Sequence, residues 1–195
     1  MLSKKLGLAV LLAVALSLSL VSVAFAQGTT QKVFMADLNP LNRSGAHGHA
    51  VIQKEGRTLD TKIVTRGMAQ ATSECPTLAA DKDGEGLVNT AEGLPSYGPI
   101  RVSLTTRGDT SPASALAVNR FPVADSSGLL RYERDLTVSG KVARNLGKFA
   151  IVQHGVDLNH NGRYDFRSAG ASELDPSLPQ EATIPANCGV IDRVG

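Results

Sequence analysis

Four acidic side chains lie within the twelve residues from Asp81 to Glu92, with the spacing of an EF-hand calcium loop. Gly86, at the sixth position, allows the sharp turn that such a loop needs. Because four like charges so close together repel one another unless a cation lies among them, the stretch favours a calcium site over an acidic surface turn. The predicted ligands, with Leu87 acting through its carbonyl and the residue at position nine through a water, are Asp81, Asp83, Glu85, Leu87, Asn89 and Glu92.

The residues that follow this first loop are unlike those of a calcium sensor. Gly93 and Pro95 are expected to end any exiting helix within a turn. No pair of helices could then open to expose a binding groove. We therefore expect a structural calcium site.

A second loop of this kind, with fewer charges, begins at Asp157. Gly162 again stands sixth, but the twelfth residue, Ser168, is too short to bind calcium through two oxygens. Glu173 or Asp175 is expected to close the site from further along the chain. An Asn- and Gly-rich turn whose side chains satisfy one another remains an alternative. The predicted ligands, again including one backbone carbonyl, are Asp157, Asn159, Asn161, Arg163 and Asp165.

Three of the four histidines could bind a softer metal. His47 and His49 lie two apart on a predicted strand and share a face, so that they could chelate copper or zinc. The plainer interpretation is that both face solvent. His154 ends an apolar run and is a further possible copper ligand.

The first 26 residues have the pattern of a signal peptide. Lys4 and Lys5 precede an apolar run, and Ala24–Ala26 supplies the small residues of a cleavage site, although an uncleaved anchor is the alternative. We expect an exported protein, secreted or held in the periplasm or cell envelope, with residues 27–195 forming one domain. The leader holds two of the 20 Lys and Arg residues and none of the 18 Asp and Glu. The remainder thus has no net charge to favour nucleic acid, and none of its segments is apolar enough to span a membrane.

Short apolar and β-branched runs separated by Gly and Pro predict an all-β domain, a Greek-key sandwich or barrel. Val142–Leu146 is expected to form one helical turn, and residues 170–181 a surface segment. Two cysteines in an exported chain, Cys75 and Cys188, predict one disulfide. The predicted strands are Gln31–Leu38, Gly48–Gln53, Thr58–Thr65, Ile100–Thr105, Leu129–Val138, Phe149–Val152 and Val190–Ile191.

Two segments carry a resemblance to a known family. Ala186–Ile191, ANCGVI, resembles the C-terminal Cys-Gly-Val-Ile of copper/zinc superoxide dismutases. Ile151–Asp157 resembles their late strand, which ends in a copper-binding histidine. Chordin-type (CHRD) domains of exported bacterial proteins share this pattern, and the chain is similar to them over nearly its whole mature length. The resemblance implies a superoxide-dismutase-like β-sandwich in which Cys75 is the disulfide partner of Cys188.

The departures from the dismutases bear on function. Arg66–Glu74 lacks the family's His-x-His pair, and Pro185 stands where the family has its substrate-guiding Arg. Of the copper ligands only His154 can be carried over, and one imidazole cannot hold a redox copper. We therefore expect a non-catalytic, calcium-binding, disulfide-stabilised domain with a structural or interaction role and an unknown extracellular partner. The alternative is a divergent copper-binding, superoxide-dismutase-like enzyme that uses His154 with His47 and His49.

Overall fold

A computed structural model of the chain describes residues 31–67, 92–93, 95 and 98–194. These residues form an antiparallel, curled sheet with few helices, which confirms the all-β prediction. The short α-helices described over their whole length are α1, Gly140–Arg144, and α2, Gln180–Thr183. Single 3-10 turns cover Pro112–Ser114, Val118–Arg120 and Leu146–Lys148. The strands are β1 Lys32–Pro40, β2 His47–Glu55, β3 Thr58–Arg66, β4 Leu130–Thr137, β5 Ala150–His154, β6 Pro185–Val190 and β7 Asp192–Arg193.

The first four strands form an antiparallel meander in which each strand pairs with the next. Gly56 has φ +59°, which the tight turn between β2 and β3 requires and which glycine adopts without strain. In β3 the buried residues Leu59, Thr61, Ile63 and Thr65 alternate with less buried ones. This period of two places one face of the meander toward the core.

The sheet order is β4-β3-β2-β1-β6-β5, and β7 pairs with β1 beside β6. The C-terminal segment therefore returns to the first strand and joins β5 to the meander. The core is largely aliphatic. Full burial of each large side chain contributes about 1.5–3 kcal/mol. Its most deeply buried large apolar members are Leu38, Ile63, Leu130, Leu136, Ile184 and Val152.

The predicted strand at Ile100–Thr105 is wrong, because this segment is irregular. Its backbone bonds to a neighbouring turn instead of to the backbone of a strand: the Ser103 N–H donates to the Thr110 carbonyl at 2.8 Å. Arg134 on β4 also donates to the Thr105 carbonyl at 2.5 Å. Side-chain and turn hydrogen bonds thus replace a ladder that the β-branched pattern had suggested.

The last predicted strand, Val190–Ile191, begins too far along the chain. β6 begins at Pro185, and Ile191 is the break between β6 and β7. Residues 170–181, expected at the surface, include the fully buried Glu181 and the buried Ser172. Among the residues described, no helix has the length and apolar character needed to cross a membrane.

Candidate functional site

Most of the first calcium loop lies outside the described residues, as does Cys75; of its predicted ligands, Asp81, Asp83, Glu85, Leu87 and Asn89 all fall there. Glu92, the predicted ligand at position twelve, is described. Its backbone is helical, as are those of Gly93 and Pro95, and the residue is only 8% exposed. A carboxylate is rarely this buried unless it is paired, and Glu92 does have an interaction partner.

The second loop folds back on its first residue, Asp157, which lies just beyond the end of β5. One carboxylate oxygen of Asp157 accepts the Gly162 N–H at 2.6 Å, and the other accepts the Asn161 N–H at 3.1 Å. Gly162 has φ +78°, a left-handed conformation that favours glycine. Position one of the loop is therefore closed onto positions five and six, as the sharp turn of a calcium loop requires.

The remaining predicted side-chain ligands face one another across this loop. The Asn161 side-chain amide donates to one Asp165 oxygen at 2.8 Å, and that of Asn159 lies 3.5 Å from the other. Asn159 also donates to the Ser168 hydroxyl at 2.7 Å. The oxygens of the two amides already accept backbone donors, the Asn161 N–H on Asn159 at 3.2 Å and the Arg163 N–H on Asn161 at 2.9 Å. The side chains of the loop thus satisfy one another, as the alternative of an Asn- and Gly-rich turn predicts, while their oxygens are of the hard kind that calcium prefers.

A residue that the sequence analysis missed, Glu181, anchors the second loop. Its side chain is fully buried on α2, where one oxygen accepts the Leu158 N–H at 2.9 Å and the other accepts the Asp165 N–H at 2.8 Å. The Glu181 carbonyl also accepts the Val156 N–H at 2.9 Å. Both ends of the loop are thereby tied to one carboxylate.

In the described structure, the hydrogen bonds of the two residues expected to close the second loop, Glu173 and Asp175, are made outside that loop. Asp175 instead caps its own turn, accepting the Ser177 N–H at 2.9 Å and the Ser177 hydroxyl at 2.7 Å. These bonds from Ser177 lower the pKa of Asp175. Glu173 is exposed. The only sequence signal for Glu181 was an acidic residue in a short apolar context, Glu181-Ala182-Thr183-Ile184, which by itself is ambiguous.

Tyr164, at position eight of the loop, is half-buried and lies near enough to Asp157 and Glu181 for their charges to act on it. The pKa of its phenol is raised mainly by burial, and the charges of Asp157 and Glu181 raise it further. The hydroxyl therefore stays protonated at any physiological pH.

The three candidate copper ligands are divided between the surface and the interior. His47 and His49 are exposed on β2, where they alternate with buried Ala46 and Ala50. The structure thus agrees with the plainer interpretation of these two side chains. His154 is buried at the end of β5, and its Nδ1 is hydrogen-bonded to the Thr183 carbonyl.

The protonation state of His154 follows from its surroundings. Burial lowers its pKa to about 4, and the bond to Thr183 offsets this only in part. Since a carbonyl can only accept, the neutral ring carries its proton on Nδ1. Within the described ranges, no three His, Cys, Asp or Glu side chains converge into a group that could hold a metal ion. The structure therefore does not bring His154 together with His47 and His49.

Cys188 lies in β6, where it pairs in register with Val152 of β5 and Asn39 of β1. It is half-buried, and no cysteine in the described part of the chain is free. Its neighbour Asn187 donates to the side-chain oxygen of Gln153 at 2.7 Å. Thr65 donates to that oxygen at 2.6 Å, which joins three strands through one buried amide.

Comparison with known proteins does not place the chain. No protein-family model matches it, and no curated protein matches its sequence. The inference about function therefore depends on the two loops, the histidines and the leader.

Proposed function

We propose that the chain is an exported β-domain with an interaction or structural role rather than a catalytic one. It would bind calcium as a structural staple, that is, as an ion that stabilises its loops. The proposed fold relationship is to CHRD-type, superoxide-dismutase-like domains. Export is inferred from the signal-peptide pattern of residues 1–26. The proposed partner lies outside the cytoplasm, and its identity is left open.

The observation that carries the calcium proposal is the closed form of the second loop. The Asp157 carboxylate, at position one, meets the Gly162 N–H, at position six, at 2.6 Å. Asn159, Asn161 and Asp165 are grouped within hydrogen-bond distance of one another. All are hard oxygen donors of the kind that calcium prefers. Glu181 holds the loop in this shape by two backbone bonds, so that little ordering would be needed on binding.

The first loop supports the same proposal from its sequence. Its twelve residues match the EF-hand pattern at each ligand position, and it has four carboxylates where the second loop has two. The burial of Glu92 supports a role for that side chain inside the domain, where a bound cation would offset its charge. We expect the first loop to bind calcium more tightly than the second.

The enzyme alternative requires several imidazoles around one copper. His154 satisfies one condition, since its Nδ1–H bond to a backbone carbonyl is the arrangement that orients many metal-binding histidines. The exposed positions of His47 and His49 count against a shared site. The non-catalytic proposal is therefore preferred.

Metal analysis of the protein tests the proposal directly. The chain is exported into the periplasm of an expression host, purified without chelator and analysed by plasma mass spectrometry. Calcium at one to two equivalents without copper supports the proposal. Copper at one equivalent, lost in His154→Ala, would support the enzyme alternative, and the absence of bound calcium at millimolar supply would contradict the staple.

A further inference from the structure

A cavity of about 460 Å³ lies between the irregular segment 101–112, the end of β4 and α1. Its apolar wall is formed by Val102, Val138, Val142 and Phe149. Val138 and Val142 are buried members of the core cluster, and the other two are half-buried against it. The wall is therefore fixed by the packing of the domain. Its volume falls within the range of small-molecule sites, which is roughly 300–1,000 Å³.

The charged residues that line this cavity are Arg101, Lys141 and Asp109. Arg101 and Lys141 are exposed, and neither forms an ion pair with another residue of the described ranges. The Asp109 carboxylate accepts the Ser111 N–H at 3.1 Å and the Ser111 hydroxyl at 2.6 Å. These bonds lower the pKa of Asp109. The acid is thus occupied by its own turn, and the two cations leave the cavity with a net positive charge.

We propose that this cavity binds a small organic anion with an apolar body, of the class of medium-chain carboxylates. The apolar wall would take the hydrocarbon, since burial of each methylene contributes about 0.8 kcal/mol. Arg101 and Lys141 would face the carboxylate at the opening, where their charges complement it. None of the residues of the second calcium loop lines this cavity, so this binding site is separate from the proposed staple.

Isothermal titration calorimetry with octanoate, octanol and octylamine tests this proposal on the mature, calcium-loaded protein. All three probes share one apolar body and differ in charge. We expect saturable binding of octanoate at one site, weaker binding of octanol and the weakest binding of octylamine. Equal affinity for all three, or no saturable heat with octanoate, would overturn the proposal.

Surface variants then locate the site without disturbing the core. Lys141→Glu and Arg101→Glu should each weaken octanoate binding about threefold to tenfold. Asp109→Asn should strengthen it, because the one acid of the lining is removed. Lys148→Glu is the matched control, since Lys148 is exposed and does not line the cavity. If Lys148→Glu weakened binding as much as Lys141→Glu, the effect would be one of net charge and the assigned site would be wrong.

Discussion

The fully buried carboxylate of Glu181 accepts the backbone N–H of Asp165 at 2.8 Å, across sixteen positions of the chain. Its other oxygen accepts the Leu158 N–H, so that one side chain of α2 closes the loop that begins after β5. A buried carboxylate costs free energy unless its oxygens are satisfied, and here backbone donors of the loop satisfy both. The loop and the helix therefore stabilise each other.

Replacement of Glu181 should loosen the second loop. Glu181→Gln keeps the size of the side chain but leaves an amide nitrogen opposite a backbone donor, and we expect a loss of about 2 kcal/mol in the free energy of unfolding. Urea denaturation measures this loss. Hydrogen exchange should also show faster exchange of the Leu158 and Asp165 amides.

The matched control for this experiment is Glu173→Gln. Glu173 lies in the same C-terminal region but is exposed. We expect its replacement to change the unfolding free energy by less than about 0.5 kcal/mol. Equal stability of the two variants would show that Glu181 does not anchor the loop.

His154 should make the stability of the domain fall as the solution is acidified. Its pKa is lowered from 6.5 to about 4 in the folded protein, so that between these values the unfolded chain binds a proton that the folded one does not. The stability is complete above pH 6.5 and is lost progressively toward pH 4. Between pH 7 and 5 the loss should be about 2 kcal/mol.

Thermal unfolding of the protein and of His154→Gln at pH 7 and pH 5 separates this effect from that of the carboxylates. The variant cannot take up the proton, and most carboxylates stay ionised at pH 5. We expect its melting temperature to change less than that of the parent over this interval. The same decline in both proteins would assign the pH dependence to other groups.

The disulfide between Cys75 and Cys188 remains a prediction because Cys75 lies outside the described residues. Non-reducing peptide mapping by mass spectrometry should recover the two cysteines in one linked peptide. Reduction should lower the free energy of unfolding by about 4–5 kcal/mol, since the bridge closes a long loop. Recovery of both as free thiols after oxidising expression would refute the pairing.

Superoxide dismutation should be absent after copper loading. His47 and His49 are exposed while His154 is buried, so that no redox copper with several imidazoles is expected among them. A cytochrome c competition assay on copper-loaded protein provides the measurement. Catalysed superoxide loss that disappears in His154→Ala, but persists in the surface variant Glu173→Gln, would support the enzyme alternative.

The parts of the fold that follow from local pattern could be predicted from the sequence. The alternating pattern of β3 and the glycine turn before it locate the hairpin of β2 and β3, and the apolar run before His154 locates β5. Ile100–Thr105 shows the limit of this reasoning. Its β-branched residues suit a strand, but the Ser103 and Thr105 hydroxyls donate to carbonyls of the turn at residues 109–111. Such side-chain bonds to a nearby backbone compete with a strand, and strand propensity alone does not predict them.

The second loop was predictable in its own residues but not in its support. The spacing of Asp157, Asn159 and Asn161 is a local signal, and Gly162 adopts the turn conformation that its position predicted. Glu181 reaches the loop only because α2 packs beside the end of β5. Glu173 and Asp175 were expected to close the loop because they are nearer along the chain. In the folded protein the more distant Glu181 bonds to the loop instead.

Differential scanning calorimetry with calcium and with EDTA tests the calcium staple most directly. At calcium a hundredfold above the dissociation constant, the staple should add about 2.7 kcal/mol and raise the melting temperature by about 5–10 °C. Glu92→Gln should remove most of this increase, Asp157→Asn a smaller part, and the control Glu173→Gln none. A melting temperature that is the same in calcium and in EDTA would contradict the account for both loops.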